Sequence, residues 1–188
     1  TPSAVATGVP SIEPTRTATV VPPAIIPRPK VDDSWVVQPS GITPDLRDVD
    51  AVNNTTAWAV GENGTILKTM DGGSTWVVQN TGSYHFFRDV AALDSLTAWV
   101  VGYTKCCPPK GVILNTTDGG GTWATQKIVG EALHDVAAID VKVVWAVGRQ
   151  GTVVKTTDGG TSWVLFRPPP VSEHIYGVAP LNAKIGWI

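Results

Sequence analysis

The chain has 188 residues, and its 14 Lys and Arg against 16 Asp and Glu give a formal net charge of −2. The basic residues form no stripe along the sequence, so we expect no nucleic-acid partner. No apolar run reaches the length of about 18 residues that indicates a membrane span, so we expect no transmembrane segment in this chain.

The first 30 residues differ in composition from everything that follows them. Residues 1–30 hold seven of the 15 prolines, many Thr, Ala and Val residues, and no aromatic residue. This composition predicts a Pro/Thr-rich tether that is extended rather than folded. We expect residues 1–30 to lie along a partner protein, as a link between an envelope anchor and an extracytoplasmic domain.

A repeat with a period in the low forties accounts for all eight tryptophans. They form two sets that alternate along the chain: Trp35, Trp76, Trp123 and Trp163 in one, and Trp58, Trp99, Trp145 and Trp187 in the other. The spacings are 41, 47 and 40 residues in the first set and 41, 46 and 42 in the second. A large ring that recurs twice per period indicates the same packing role in each copy of a repeat architecture.

The clearest repeat unit covers residues 46–79 and contains four short apolar runs. These are LRDVDAV, AWAVG, TILKT and TWVVQ, and they are separated by the polar clusters NNTT, GENG and MDGGS. The runs are rich in β-branched and aromatic residues, as strands are, and the clusters contain the residues of tight turns. Four antiparallel strands in a period of this length predict one blade of a β-propeller.

Further copies follow near residues 87–126 and 133–166, and a partial copy occupies residues 175–188. Before the first copy, VDDSWVVQ at residues 31–38 matches only the last strand of a blade. The sequence therefore predicts an all-β propeller over residues 31–188 with about three and a half blades. Because a propeller closes into a ring of roughly four to eight blades, we expect a portion of a longer chain. The alternative is a short chain that closes its ring by oligomerising.

The segment TxDGGxTW, which resembles the Asp-box or BNR repeat, appears three times nearly intact. Its residues here are Thr69, Asp71, Gly73 and Trp76; Thr116, Asp118, Gly120 and Trp123; and Thr156, Asp158, Gly160 and Trp163. We expect a structural role, in which glycine permits a sharp turn, aspartate accepts bonds from the turn's amides, and tryptophan packs between sheets. One carboxylate per turn is too few for calcium, and the segment lacks the lysine of a phosphate loop. We expect no metal and no cofactor.

The only two cysteines, Cys106 and Cys107, are adjacent in a turn that is about six residues longer than its counterparts GENG and GRQG. One interpretation is a vicinal disulfide, strained because neighbouring Cα atoms lie only ~3.8 Å apart, which stiffens a contact loop or acts as a redox element. The alternative is a pair of free thiols, or of thiols bonded to other chains.

The whole repeat, LxDVxxxxxxxAWAVGxxGxIxxTxDGGxTW, resembles that of the photosystem II assembly and stability factors and their bacterial relatives. The resemblance covers residues 35–188. It implies a seven-bladed, non-catalytic propeller outside the cytoplasm, in the periplasm, at the cell surface or in the thylakoid lumen. It also implies that the protein binds subunits of a membrane complex during assembly.

Four residues that precede Asp-Val or its equivalent in successive units are candidates for partner binding: Arg47, Arg88, His134 and Tyr176. Equivalent positions on successive blades lie on a ring around the axis, and the resemblance implies an arginine-rich patch that recognises a protein partner. Arginine suits that role because its fork of donors matches carboxylates and backbone oxygens. The alternative is that each arginine pairs with the aspartate next to it in the blade.

Asp-box propellers also include sialidases and other glycan hydrolases or glycan-binding proteins. We expect no enzyme here, because no third arginine follows the blade pattern to complete a sialidase triad, and the aspartates have structural positions. A third interpretation is a permanent structural subunit of an envelope complex or filament.

Overall fold

A computed structural model describes residues 37–167 and 173–188 of the chain. The predicted tether at residues 1–30, its contact with a partner, and Trp35 of the leading strand lie outside these residues. Apart from a short 3-10 turn at Arg149–Gly151, the described residues form strands and turns and contain no helix.

Three four-stranded antiparallel sheets follow one another, each with its strands in chain order. The first contains β1 (Leu46–Ala51), β2 (Ala57–Gly61), β3 (Ile66–Thr69) and β4 (Val77–Val78). The second contains β5 (Phe86–Ala92), β6 (Ala98–Tyr103), β7 (Gly111–Thr116) and β8 (Ala124–Val129). The third contains β9 (Leu133–Ala138), β10 (Val144–Gly148), β11 (Val153–Thr156) and β12 (Val164–Phe166). A two-stranded sheet of β13 (Ala179–Pro180) and β14 (Gly186–Trp187) comes last. The prediction of four-stranded antiparallel blades is confirmed.

An Asn or Asp residue fixes the turn between the first and second strands of every sheet. In the second sheet, Asp94 Oδ1 accepts the backbone N–H groups of Leu96 and Thr97, both at 2.7 Å. The same arrangement recurs three times, at Asn53, Asp140 and Asn182. This local bond is the reason these residue types favour turns. It sets the length of the turn and therefore the register of the strands that follow.

The first strands of successive sheets lie beside one another, β1 against β5, β5 against β9 and β9 against β13, so they are the inner strands of the propeller. Each inner strand of the three complete sheets carries one extra residue in its pairing with the second strand. The extra residues are Arg47, Arg88 and His134. A bulge of this kind bends the strand and turns a side chain away from its regular direction.

The two alternating sets of tryptophans meet at the boundaries between sheets. Trp58 of β2 contacts Trp123 of the next Asp-box edge to face, with ring centroids 5.7 Å apart. Trp99 of β6 contacts Trp163 in the same way at 5.8 Å. Trp58 and Trp99 are fully buried, and each lies in the apolar cluster that joins its sheet to the next. The strict alternation in the sequence thus reflects one tryptophan contact at each of the two joints between complete sheets.

Each Asp-box is a closed set of hydrogen bonds around its threonine and aspartate. In the second sheet, Asp118 Oδ1 accepts the Thr116 hydroxyl at 2.8 Å and the Thr122 N–H at 2.9 Å. The Thr116 Oγ1 in turn accepts the Gly120 N–H at 2.9 Å. The bonds from Thr122 lower the pKa of Asp118 to about 2. Gly120 has a φ of 94°, and a Cβ there would collide with the side chain of Gln79 from the preceding sheet.

The other two Asp-boxes repeat these bonds at equivalent residues. Thr69 and Thr156 donate to Asp71 and Asp158, and they accept the N–H groups of Gly73 and Gly160. All four bonds lie between 2.8 and 2.9 Å. The threonine and aspartate side chains of the three boxes therefore stabilise the turn between the third and fourth strands of each sheet.

A row of aspartates connects each inner strand with the next one. Asp48 Oδ2 accepts the N–H of Val90 at 3.0 Å, and Asp89 Oδ2 accepts that of Val136 at 2.6 Å. Asp135 Oδ2 accepts the N–H of Val178 at 2.6 Å. An inner strand is also a sheet edge, so one row of its N–H groups has no strand partner. The aspartate of the preceding sheet satisfies one of these donors.

Asp89, the middle aspartate of this row, keeps its proton to a much higher pH than an ordinary aspartate does. Burial, together with the hydrogen bond to Asp48 and the charges of Asp135 and Asp48, raises the pKa of Asp89 to about 9 against the lowering effect of the bond from Val136. Asp89 is therefore protonated in the folded protein at neutral pH. Repulsion between neighbouring carboxylates along the inner strands is reduced as a result.

Replacing Trp99 with Ala should lower the free energy of unfolding by about 3–5 kcal/mol, because it removes a buried ring and its contact with Trp163. Trp187→Ala is the matched control, since Trp187 occupies the corresponding repeat position but is 75% exposed. We expect the control to change stability by no more than about 0.5 kcal/mol. Urea unfolding followed by circular dichroism measures both. If the two variants lost equal free energy of unfolding, the contact between Trp99 and Trp163 would not be what stabilises the boundary between the sheets.

Stability should fall as the pH rises from about 7 to about 9. Folded Asp89 keeps its proton up to about pH 9, whereas the unfolded side chain loses it near 3.8. The folded state therefore binds one proton more than the unfolded state in this window, so the free energy of unfolding decreases with pH. The Asp89→Asn variant keeps an oxygen for the Val136 N–H and should show a flatter profile. Parallel pH profiles for the two proteins in urea titrations would rule out this assignment.

Candidate partner-binding site

The four residues predicted to bind a partner lie around one depression of about 440 Å³. Arg149 and His174 complete its lining, which consists of Arg47, Arg88, His134, Arg149, His174 and Tyr176. Three of the six are the bulged residues of the inner strands. The bulges therefore direct side chains from three successive sheets to a common point.

The depression occupies the end of the sheets that carries the turns between second and third strands. Leu46 of β1 pairs with Gly61 at the end of β2, so Arg47 lies beside the turn that follows β2. The Asp-boxes join third to fourth strands and lie at the opposite ends of the sheets. The repeated structural motif and the convergent charged residues thus occupy different faces.

Each bulged residue faces the residue that directly follows the last glycine of the second strand of its own sheet, which is Gly61, Gly102 or Gly148. The Arg47 guanidinium donates to Glu62 Oε1 and lies 3.6 Å from Asp45 Oδ2. Arg88 donates to the Tyr103 hydroxyl at 3.4 Å, with its guanidinium carbon 5.4 Å from the centre of the Tyr103 ring. His134 and Arg149 occupy the same two positions in the third sheet, where the charge of Arg149 contributes to lowering the pKa of His134. In all three pairs the two residues are 15 positions apart in the sequence.

The arginines do not pair with the aspartates next to them in the sequence, which was the alternative interpretation. Asp48 and Asp89 direct their carboxylates at backbone N–H groups of the next sheet. Within residues 37–167 and 173–188, Arg47 is the arginine that makes ion pairs, and Arg88 and Arg149 have no carboxylate within 4.0 Å. Two guanidinium groups therefore line the depression with their charge uncompensated by a direct partner.

The other side of the depression is aromatic. The His134 and Tyr176 rings stack with centroids 4.9 Å apart and planes inclined by 24°. His174 lies 6.1 Å from both rings, and its Nδ1 accepts the Gln150 N–H at 3.4 Å. Among the described residues His134 Nε2 is buried and has no hydrogen-bond partner. This group provides a flat wall and one unused polar atom beside the arginines.

Burial and the neighbouring arginines keep the central histidine neutral. Burial lowers the pKa of His134, and the positive charges of Arg88 and Arg149 lower it further. The positive charge of the depression at neutral pH therefore comes from its guanidinium groups. Guanidinium groups beside aromatic rings suit carboxylate groups and peptide oxygens, which they bind through parallel hydrogen bonds.

Sequence reasoning missed two of the six lining residues, Arg149 and His174. Arg149 does not precede Asp-Val or its equivalent, which is the pattern that identifies the other candidates. The signal that identifies it is the separation of 15 residues from His134, which equals the separations of Arg47 from Glu62 and of Arg88 from Tyr103. His174 has no such signal, because Asp45, Phe86 and Ala132 occupy its equivalent positions.

Cys106 and Cys107 are exposed and are not bonded to each other in the structure. Cys106 Sγ lies 2.8 Å from the Thr104 hydroxyl oxygen and 3.4 Å from the Pro108 carbonyl oxygen. The free-thiol state is thus the one the structure describes. Within the described ranges, no cluster of His, Cys, Asp and Glu suits a metal ion, and no helix has the length and hydropathy of a membrane span.

Comparisons with known proteins agree with this architecture. A family model described as photosynthesis system II assembly factor YCF48 matches residues 28–163. A solved structure of YCF48 bound to D1 peptide is 26% identical with a TM-score of 0.57, covering 69% of this chain and 42% of that chain. YCF48 from Cyanidioschyzon merolae is also 26% identical, with a TM-score of 0.58, covering 73% of this chain and 47% of that chain. This chain thus spans less than half the length of either YCF48 structure.

A more distant match shows the fold alone. An ancestral GH74 enzyme is 18% identical with a TM-score of 0.55, covering 78% of this chain and 21% of that chain. No curated protein sequence matches this chain. The resemblance noted from the repeat is confirmed by the family model and by both YCF48 structures. The chain is a BNR-repeat β-propeller that belongs to the photosynthesis system II assembly factor YCF48 family.

Proposed function

We propose that this protein binds a segment of a membrane-complex subunit in the depression formed by Arg47, Arg88, His134, Arg149, His174 and Tyr176. It acts without catalysis, as an assembly or stability factor, and family membership makes photosystem II the first complex to examine. The observation that carries the proposal is the convergence of Arg88 and Arg149, which have no carboxylate partner in the described residues, on one depression.

The ligand is an extended peptide with accessible oxygen atoms. Arg88 and Arg149 donate to a carboxylate or to backbone carbonyl groups, and the stacked rings of His134 and Tyr176 pack against the peptide's apolar parts. YCF48 has been solved bound to D1 peptide, so that peptide is the first probe for this chain. Arg47 contributes less, because Glu62 already engages its guanidinium.

The same proposal places the protein outside the cytoplasm, tethered to or bound within its complex. Residues 1–30 form the tether and residues 31–188 the blades, which belong to a seven-bladed ring. The first 30 residues lie on a partner and keep the depression near the membrane subunit that it binds. These elements rest on the composition of the tail and on family membership.

Glycan hydrolysis is the alternative of a different class. A glycosidase uses two carboxyl groups on either side of the scissile bond. None of the described residues that line the depression is an Asp or Glu. The similarity to a GH74 enzyme extends to the fold and does not favour this alternative.

Removing either unpaired arginine should weaken binding of the D1 peptide. We expect Arg88→Gln and Arg149→Gln each to reduce affinity about ten- to 100-fold, the effect of losing hydrogen bonds to a charged group. Arg47→Gln should cause a smaller loss because Glu62 competes for that side chain. Isothermal titration calorimetry on the full chain measures these affinities.

Arg167→Gln is the matched control, since it removes the same charge from a side chain that does not line the depression. Its affinity should stay within about twofold of the unaltered chain at moderate salt, where distant charges are screened. If Arg167→Gln and Arg88→Gln lowered peptide affinity equally, the loss would come from the change in net charge and not from the depression. If neither Arg88→Gln nor Arg149→Gln lowered peptide affinity, the depression would not be the binding site.

Deleting residues 1–30 should leave peptide affinity unchanged but reduce the amount of protein that co-purifies with its membrane complex. The reason is that the tail supplies a second contact, whose loss lowers the effective local concentration of the propeller. Affinity purification from membranes of both forms, with quantification of the co-purifying subunits, measures this. Undiminished recovery of the deleted form would show that the tail does not hold the complex.

A further inference from the structure

The turn between β6 and β7 is long in comparison with the equivalent turns of the other two complete sheets. It contains YTKCCPPK between Gly102 and Gly111, whereas the first and third sheets have EN and RQ between the equivalent glycines. The two exposed thiols of the chain lie within this insertion. The insertion is at the same end of the sheets as the depression.

Tyr103 joins the insertion directly to the depression. It is the last residue of β6, and its hydroxyl accepts the Arg88 guanidinium at 3.4 Å. Its ring stacks on Phe86 at 5.3 Å, and Lys105 Nζ lies 6.0 Å from the centre of the Phe86 ring. A change in the path of the insertion is therefore transmitted to the residue that orients Arg88.

Thr104 closes the base of the insertion and also contacts a thiol. Its N–H donates to the Lys110 carbonyl at 2.8 Å, and its hydroxyl oxygen accepts the Lys110 N–H at 3.0 Å. The same hydroxyl lies 2.8 Å from Cys106 Sγ. The position of the Cys106 sulfur is thus coupled to the hydrogen bonds that hold the two ends of the insertion together.

A bond between neighbouring cysteines differs from an ordinary structural disulfide. Adjacent Cα atoms are ~3.8 Å apart, below the usual range for disulfides, so the bond is strained and easily reduced. Strained and exposed disulfides are the labile ones that cycle under mild conditions. Both thiols here are accessible to a soluble oxidant and to a soluble reductant.

We propose that Cys106 and Cys107 form a reversible redox site that controls the depression. In the dithiol form the Cys106 sulfur contacts Thr104, and the insertion holds Tyr103 against Arg88. In the disulfide form the Cys106 sulfur turns toward Cys107 and leaves Thr104, so the base of the insertion loosens and Arg88 loses its orientation. The effect of this change on ligand binding rests on the proposed function.

The oxidant is a low-molecular-weight disulfide such as oxidised glutathione. The thiolate of one cysteine attacks a glutathione sulfur, which breaks the glutathione disulfide and forms a mixed disulfide. The neighbouring thiolate then attacks the protein sulfur of that mixed disulfide and expels the second glutathione. The two cysteines are oxidised, and two glutathione thiols carry away both electrons and both protons. Reduced glutathione reverses the sequence.

The first experiment equilibrates the full chain in buffers of varied ratio of reduced to oxidised glutathione. Alkylation and mass spectrometry then quantify the intramolecular disulfide, and amide hydrogen exchange reports on the base of the insertion. We expect one reversible disulfide transition and, in the oxidised form, about three- to tenfold faster exchange at Lys110, whose partner Thr104 has been disturbed. A persistent glutathione adduct without the intramolecular bond, or unchanged exchange at Lys110, would overturn the proposal.

The second experiment measures affinity for the peptide used with the arginine variants, in the reduced and in the oxidised chain. We expect the oxidised chain to bind about three- to tenfold more weakly, the effect of losing one hydrogen bond that orients Arg88. Cys107→Ser is the matched control, because it retains the Cys106 contact with Thr104 but forms no intramolecular bond. Measured on the fraction that mass spectrometry shows to be free of glutathione adducts, its affinity should not respond to oxidised glutathione.

The outcomes separate the two proposals. If the reduced chain fails to bind the peptide, the proposed function is wrong, whereas the redox site is still judged by its disulfide transition and by exchange at Lys110. If the reduced chain binds and oxidation leaves its affinity unchanged, control of the depression by the cysteines is wrong and the proposed function stands.

Discussion

Each sheet of this propeller buries its faces only against the sheets beside it, and the rest of the structure depends on that requirement. A single four-stranded sheet with fully buried Trp58 or Trp99 cannot be stable alone, because the ring is covered by the next sheet. The contact repeats at both boundaries between complete sheets, so the same residue types recur at each period. The low-forties spacing of the tryptophans is therefore a consequence of packing between sheets as well as within them.

The polar side of the same boundary links stability to the candidate site. Inner strands are sheet edges, and their N–H groups need acceptors once they are covered. Asp48, Asp89 and Asp135 supply them from the preceding sheet. The residue just before each of these aspartates is the bulged one, so the position that orients the acceptor adjoins the position that projects into the depression. One short segment of each inner strand therefore serves the joint and the site together.

The sequence predicts the repeated parts of this structure well. Apolar runs, turn residues and alternating tryptophans depend on local chemistry, and the four-stranded antiparallel blades follow from them. The predicted residues Arg47, Arg88, His134 and Tyr176 do lie around one depression, because equivalent positions on successive sheets converge near the axis.

The sequence does not predict what depends on pairing between strands. The partners of the arginines follow from bulges that shift the register by one residue, and no apolar pattern marks these bulges. Glu62, Tyr103 and Arg149 share one position, directly after a glycine of the second strand, but they differ in charge and size, so they do not appear as a repeat. The sequence order suggests that Asp48 and Asp89 pair with the adjacent arginines. In the structure Asp48, Asp89 and Asp135 instead accept backbone N–H groups of the next sheet, 42 to 47 residues away. Contacts at that separation depend on how sheets are placed side by side.

In each complete sheet a bulged residue is matched with the residue that follows a glycine of the second strand, and this arrangement bears on how such proteins diversify. Each of the three complete sheets contributes two such side chains at this end, and neither belongs to the apolar clusters that hold the sheets together. Exchanging such a pair rewrites what one sector of the rim recognises while the scaffold stays the same. Arginine with glutamate, arginine with tyrosine and histidine with arginine are three different settings within a single chain. Recognition can therefore evolve, or be engineered, one blade at a time.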